Sequence, residues 1–143
     1  MGIALSSEVK ALVDGRNFAH LATIMPDGSP QSAPVWVLRE GNFIAVATEG
    51  GSLKAKNTRR DPRVSLSIVD FDDPYAEAQI RGRVAEWRPD PELKFYDAIS
   101  RKYVGKDWPY RDVKLPIVLV IEILKERYSK QPFEHAPRAQ KSE

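Results

Sequence analysis

Residues 17 to 48, NFAHLATIMPDGSPQSAPVWVLREGNFIAVAT, constrain the fold more than any other stretch. Three β-patterned runs follow one another with only tight turns between them. Pro26-Asp27-Gly28 closes the first run (17 to 25), and Glu40-Gly41-Asn42 separates the second (Gln31 to Arg39) from the third (43 to 48). Asp and Gly at such turns supply local hydrogen bonding and positive φ. A parallel pair would need a crossover of a dozen or more residues after each strand, so these strands are antiparallel neighbours. Pro30 and Pro34 cannot donate to a ladder, which places the second run on an edge or at an irregularity. A doubly wound α/β sheet is excluded at this point.

The remaining segments extend the same plan. SEVKALVDG (7 to 15) sets Val9, Leu12 and Val13 on one helical stripe, with Ser6 or Ser7 as N-cap and Gly15 as the stop. A short helix after Thr48 must end at Asp61-Pro62, because the residue before proline is pushed out of helical angles. VSLSIVD (64 to 70) alternates apolar and polar residues. AEAQIRGRVAEW (76 to 87) is a strand in which Gly82 marks a bulge or a close approach. Residues 91 to 105 form an amphipathic helix with Leu93, Tyr96, Ile99 and Tyr103 on its stripe. An aromatic loop follows, then a last strand (117 to 129). The sum is a mainly β, α+β domain of six antiparallel strands and three helices, closed or nearly closed into a barrel. All 143 residues form one domain, with residues 1–16 as an N-terminal helix segment and 130–143 as a polar, frayed tail.

Composition narrows the chemistry. There is no cysteine, so disulfides, thiolate nucleophiles and thiolate metal sites are all absent. The two histidines, His20 and His135, lie far apart without ligand spacing, so no metal site is expected. His20, within an apolar run, is read as a core histidine. A net charge of +2 does not describe a general nucleic-acid binder. No apolar run has the length of a membrane span, and a cytoplasmic location is expected.

The most unusual local chemistry is TEGGSLKAKNTRRDPR, residues 48 to 63. Lys54 and Lys56 fall in the opening turn of the short helix, where unpaired amides already carry partial positive charge. A bound anion would reverse that conflict, with amides, the Ser52 hydroxyl and a lysine ammonium converging on one phosphate. Gly50-Gly51 would let the backbone approach such a ligand closely and take positive φ. The spacing is not that of a P-loop, and a solvated basic helix face accounts for the same residues equally well. Arg59, Arg60 and Arg63 suit the helix C-terminus without any ligand. A single-strand nucleic-acid surface would interleave aromatics, and this stretch has none.

Taken in order, LATIMPDGSPQSAPVWV, FIAVAT, KNTRRDPRVSLSI and DPYAEAQIRGRVAE resemble the pyridoxamine 5′-phosphate oxidase-like split β-barrel proteins. The resemblance is closest to their flavin/deazaflavin oxidoreductase B branch and runs from about Phe18 to Ile123. It implies an FMN-binding type of split barrel and a homodimer with cofactors in grooves between subunits. The cofactor implied is the deazaflavin coenzyme F420, with FMN as the alternative. It puts the phosphate-gripping lysine at Lys54, with Ser52, Lys56 and Asn57 beside it. Ala47 and Thr48 would run along the ring and ribityl chain, and Gln31, Pro34 and Val35 would approach the ring. Tyr75, from a loop of the other subunit, is the candidate proton donor. Some relatives carry arginine where this chain has Ser52 and asparagine where it has Pro34, and both departures leave room for FMN. Trp36 would line the ring slot or fill the barrel; Trp108 and Tyr110 would rim a substrate pocket or pack over the barrel end. The activity implied is hydride transfer to an activated double bond in an enone, quinone or tetrapyrrole. The alternatives are an FMN oxidoreductase and a cofactor-binding protein without turnover.

Overall fold

A computed structural model describes residues 2–137. The chain runs α1 (Ser7–Asp14), β1 (Ala19–Ile24), β2 (Pro30–Val35), β3 (Leu38–Glu40), β4 (Phe43–Glu49), α2 (Leu53–Arg60), β5 (Arg63–Val69), β6 (Ala76–Pro89), α3 (Lys94–Val104) and β7 (Pro116–Lys130). All seven strands join one sheet in the order β2-β1-β5-β6-β7-β4-β3, and every pairing is antiparallel.

The expected count of six strands is therefore corrected to seven. The run Gln31–Arg39 is not one strand but two, β2 and β3, which form the opposite edges of the sheet. The break falls at Trp36-Val37. Val37 is fully buried, its N–H donates to the Tyr103 hydroxyl at 3.1 Å, and its carbonyl accepts from Lys102 Nζ at 2.6 Å. Both backbone groups are thus spent on side chains of α3 instead of a ladder. Three Cα steps from Val35 to Leu38 span at most about 11 Å, so the sheet must curl until its two edges come together at this corner. No ladder joins β2 to β3, and the hydrogen-bonded sheet stays open rather than closing into a continuous barrel.

Inside the curl, Ala19, Leu21, Ile44, Val46, Leu66, Ile68, Ile80, Val84, Leu119, Ile121 and Ile123 form the main core, joined by Val9, Leu12 and Val13 of α1. The Ser6 side chain caps α1 by accepting from Val9 N. A second cluster lies outside the curl, where Phe95 and Ile99 of α3 cover Ala45, Val118 and Val120. β4 and β7 are thus covered on both faces over this stretch, which explains why FIAVAT and IVLVIEI are near-continuous apolar runs and not alternating ones. At Gly82 the ladder to β7 shifts register, and a Cβ there would lie 2.4 Å from the Glu122 carbonyl oxygen. The glycine is required by that close approach.

Two other expectations change. His20 is exposed, because Ala19, Leu21 and Thr23 take the inward phase of β1. The tail segment 131–137 lies against the loop before β6: Gln131 N donates to the Tyr75 carbonyl, and Phe133 meets the Tyr75 ring edge-on at 5.4 Å. Residue 130 still belongs to β7, and the rest of the predicted tail, 138–143, lies outside the described residues. Among the described residues, no helix is long and apolar enough to cross a membrane, and no His/Asp/Glu group could hold a metal ion.

Candidate functional site

The site grows from the end of β4. Thr48 is buried and its hydroxyl donates to Ser52 Oγ at 2.7 Å. Ser52 is the N-cap of α2, accepting from Ala55 N at 3.2 Å, while its carbonyl accepts from Lys56 N. The first-turn amides of Leu53 and Lys54 are left over as donors, as at any helix start. The two glycines before the cap differ. A Cβ on Gly50 would crowd Leu115 at 3.0 Å, whereas one on Gly51 would meet nothing within 4 Å. Neither takes a positive φ, so the expected conformational role is replaced by close packing at Gly50 and open space at Gly51.

Lys54 rises from this turn, half-buried. Among the described residues no carboxylate pairs with it, and burial pulls its ammonium below the ordinary lysine range. Its side chain forms one wall of a cavity of about 180 Å³ shared with Pro34, Val35, Trp36, Ala47, Tyr96, Ile99 and Trp108. Each wall comes from a different element: β2 and the crossing after it, β4, α2, α3, and the loop after α3. Trp36 stacks on Tyr103 at 5.1 Å with 7° between planes and meets Trp108 edge-on at 6.1 Å. α3 is anchored by Asp90, whose two carboxylate oxygens accept from Phe95 N and Tyr96 N. Tyr96 is pushed up to about 12, by burial first and then by Glu49 and Asp90, so its phenol keeps its proton at neutral pH.

Four of the residues expected at a cofactor site, Pro34, Val35, Ala47 and Lys54, therefore meet in one cavity. Thr48 and Ser52 do not line it but fix the start of the helix that carries Lys54. Lys56 is exposed, Gln31 is exposed on β2 opposite Thr23, and neither is among the residues that line the cavity. Asn57 turns inward instead. It is 1% exposed, its Nδ2 donates to Thr23 Oγ1 at 3.0 Å and to Met25 Sδ, and its Oδ1 accepts from Arg60. Its amide ties α2 to β1 and is not free for a ligand. Arg60 also donates to the Ile24 carbonyl, and Arg63 pairs with Asp61, both structural as expected. Tyr75 sits away from the cavity of its own chain, its hydroxyl 2.9 Å from His135 Nδ1. Sequence reasoning missed Tyr96 and Ile99, which it read only as an apolar helix stripe. The double cover of β4 requires α3 to stand beside the Lys54 helix, but nothing local in the sequence says so.

A mainly β, α+β domain whose open antiparallel sheet curls edge to edge, with an aromatic cavity and a lone lysine on its outer side, defines the split-barrel class. Residues 5–131 match the family model described as pyridoxamine 5′-phosphate oxidase. The chain belongs to this flavin-binding family, which includes oxidoreductases. Among solved structures it resembles one named F420 reductase, at 28% identity and a TM-score of 0.77, covering 82% of this chain and 94% of that one. It also resembles a conserved hypothetical protein of Mycobacterium tuberculosis, at 25% identity and a TM-score of 0.72, covering 97% and 94%. The General Stress Protein 26 of Bacillus anthracis shares the fold at 19% identity and a TM-score of 0.66, covering 85% and 91%.

Proposed function

We propose that this chain is an oxidoreductase that holds F420 with its phosphate on Lys54 and its ring in the aromatic cavity. The observation that carries the reading is Lys54 itself. A half-buried ammonium without a carboxylate partner, beside two free helix amides and the open space at Gly51, fits a phosphate oxygen cluster. The apolar and aromatic walls fit a planar ring. F420, when reduced, supplies a hydride to an activated double bond such as that of an enone, a quinone or a conjugated tetrapyrrole. The chain's own part is to fix the phosphate, to orient the ring against Pro34, Val35 and Ala47, and to keep water from the reacting face. The similarity to a protein named F420 reductase supports the deazaflavin. FMN is the second reading, favoured by Ser52: its hydroxyl adds no charge beside Lys54, which suits one phosphate better than a longer polyanionic tail. A protein that stores the cofactor without turnover is the third reading.

The site is completed by a second subunit in this proposal. A cavity of about 180 Å³ holds one ring-sized group, below the ~300–1,000 Å³ of a whole ligand site. The outer face of β1 and β5 carries the small side chains of Ala22, Ser65 and Ser67 in a broad concavity that Gln79 and Arg81 of β6 and Lys125 and Arg127 of β7 also line, and the small residues allow close approach of another sheet. The partner subunit's Tyr75 would reach the cofactor across that seam and stand as its proton donor. A binding titration against FMN, FAD and F420 side by side tests the reading. Tight binding of F420 with reduction of an enone or quinone supports it, yellow protein that releases FMN moves it to the second reading, and binding without turnover moves it to the third.

A further inference from the structure

Beside the Lys54 cavity, the loop after α3 builds a second concave surface of the opposite charge. A cleft of about 250 Å³ is lined by Tyr96, Trp108 and Tyr110, by the carboxylates Glu49 and Asp112, and by Val113. No lysine, arginine or histidine lines it. Arg111, within the same loop, is engaged by Asp97 at 2.7 Å and by the Trp108 carbonyl at 2.9 Å. Among the described residues neither Glu49 nor Asp112 makes an ion pair. A solvated surface carboxylate is ordinary. Two of them edging a three-ring cleft that holds no cation of its own have the composition of an organic-cation site.

The geometry of the rings agrees. They step outward from Tyr96, 7% exposed, through half-buried Trp108 to Tyr110, 69% exposed. Neighbours meet at 61° and 70° between planes, with centroids 5.8 and 5.4 Å apart. Rings set so steeply do not merge into one flat surface but stand as separate walls. Burial first and Glu49 next push the Tyr96 phenol up to about 12, so negative charge is already felt at that wall. The loop is pinned at both ends. Trp108 N donates to Asp97 Oδ1 of α3 at 3.0 Å. Lys114 N donates to Glu49 Oε2 at 2.8 Å, and Gly50 N to the Leu115 carbonyl at 2.7 Å. The cleft is thus formed before any ligand arrives, which lowers the ordering cost of binding.

We propose that this cleft is a binding site for an alkylated organic ammonium group, held among Tyr96, Trp108 and Tyr110 and offset by Glu49 and Asp112. A hard metal ion would need a denser shell of oxygens. A bare primary ammonium is strongly hydrated and loses more on entering an aromatic cleft. An alkylated ammonium presents a broad, weakly hydrated cationic surface that suits rings and acids together. The site is distinct from the one assigned to the cofactor, since Glu49, Tyr110, Asp112 and Val113 do not line the Lys54 cavity. Tyr96 and Trp108 border both spaces, so a phosphate and an ammonium would sort to opposite sides of them.

The test uses the full chain and two probes of one shape. They are choline and its uncharged carbon isostere, in which a tert-butyl group replaces the trimethylammonium. Equilibrium dialysis gives both dissociation constants for the wild type, Tyr110→Leu, Tyr110→Phe and Glu49→Gln. The wild type should prefer choline at least about tenfold. Tyr110→Leu should cut that preference about fivefold and Tyr110→Phe should keep it, because the ring and not the hydroxyl meets the cation. Glu49→Gln, which retains an acceptor for Lys114 N, should cut it about threefold. Equal binding of the two probes by the wild type, or binding of neither, would overturn the proposal whatever the variants do. A choline preference untouched by Tyr110→Leu would reduce the cleft to diffuse attraction by its carboxylates and overturn it as well. None of these outcomes depends on which cofactor the Lys54 cavity takes.

Discussion

The arrangement around α2 turns on the different fates of neighbouring side chains. Lys54 stands at a helix start without a carboxylate to offset it, its pKa lowered by burial, and a cation so placed costs roughly 0.3–1 kcal/mol when no anion is bound. Lys56, two residues on, is exposed, and Arg59 points to solvent at the other end. Lys54→Ala should therefore weaken cofactor binding at least about tenfold, while Lys56→Ala and Arg59→Ala change it less than about threefold; parallel titrations of the three variants check this. Burial lowers the Lys54 pKa, so the free protein loses the ammonium at a lower pH than an ordinary lysine would. Affinity for a phosphate-bearing ligand should hold below that pKa and fall as pH rises through it, and binding should be accompanied by proton uptake on the alkaline side. Titration calorimetry in buffers of different ionisation enthalpy would detect this; an affinity flat to pH 10 would contradict it. Asn57 has the opposite role. Asn57→Ala strands the buried Thr23 hydroxyl and should cost about 1–3 kcal/mol in urea unfolding, with little change in cofactor affinity once folded.

At the scale of elements, the chain's outline was legible wherever a local rule governs. Turn chemistry at Pro26-Asp27-Gly28, where Gly28 has φ 86°, and the stop at Asp61-Pro62 gave the right boundaries. The cap at Ser6 and the close approach at Gly82 were also readable. What could not be read depends on distant partners. The break between β2 and β3 exists because Tyr103 and Lys102 of α3 capture the Val37 backbone, 65 or more residues away. His20 was misread because a strand's phase, not its mean hydropathy, decides which face is inside. The inward turn of Asn57 follows from a hydrogen bond to Thr23 that spacing along the helix does not reveal. Gly82→Ala is the clearest test at this scale: a Cβ 2.4 Å from the Glu122 carbonyl forces the β6–β7 bulge to shift. It should lower stability by about 1–3 kcal/mol, measured by chemical denaturation.

For the whole molecule, the open sheet leaves two faces to account for. Its inner face is filled by the main core. The outer face is covered by α3 over β4 and β7, yet His20, Ala22, Ser65, Ser67 and Gln79 line an uncovered concavity on β1, β5 and β6. A second subunit on that face would complete the cofactor groove. Light scattering should then give about twice the chain mass of 16.2 kDa, and Ser67→Glu should reduce it to one chain and weaken cofactor binding in parallel. A tightly binding monomer would contradict the shared site.

The most direct measurement of the central claim compares ligands that differ only in the phosphate. FMN and riboflavin, and F420 and its phosphate-free deazaflavin, would each be titrated into the wild type and Lys54→Ala. Lys54 as the phosphate grip predicts that the wild type prefers the phosphorylated member of at least one pair, and that Lys54→Ala loses most of this preference. A preference that survives intact in Lys54→Ala would place the phosphate elsewhere and contradict the account.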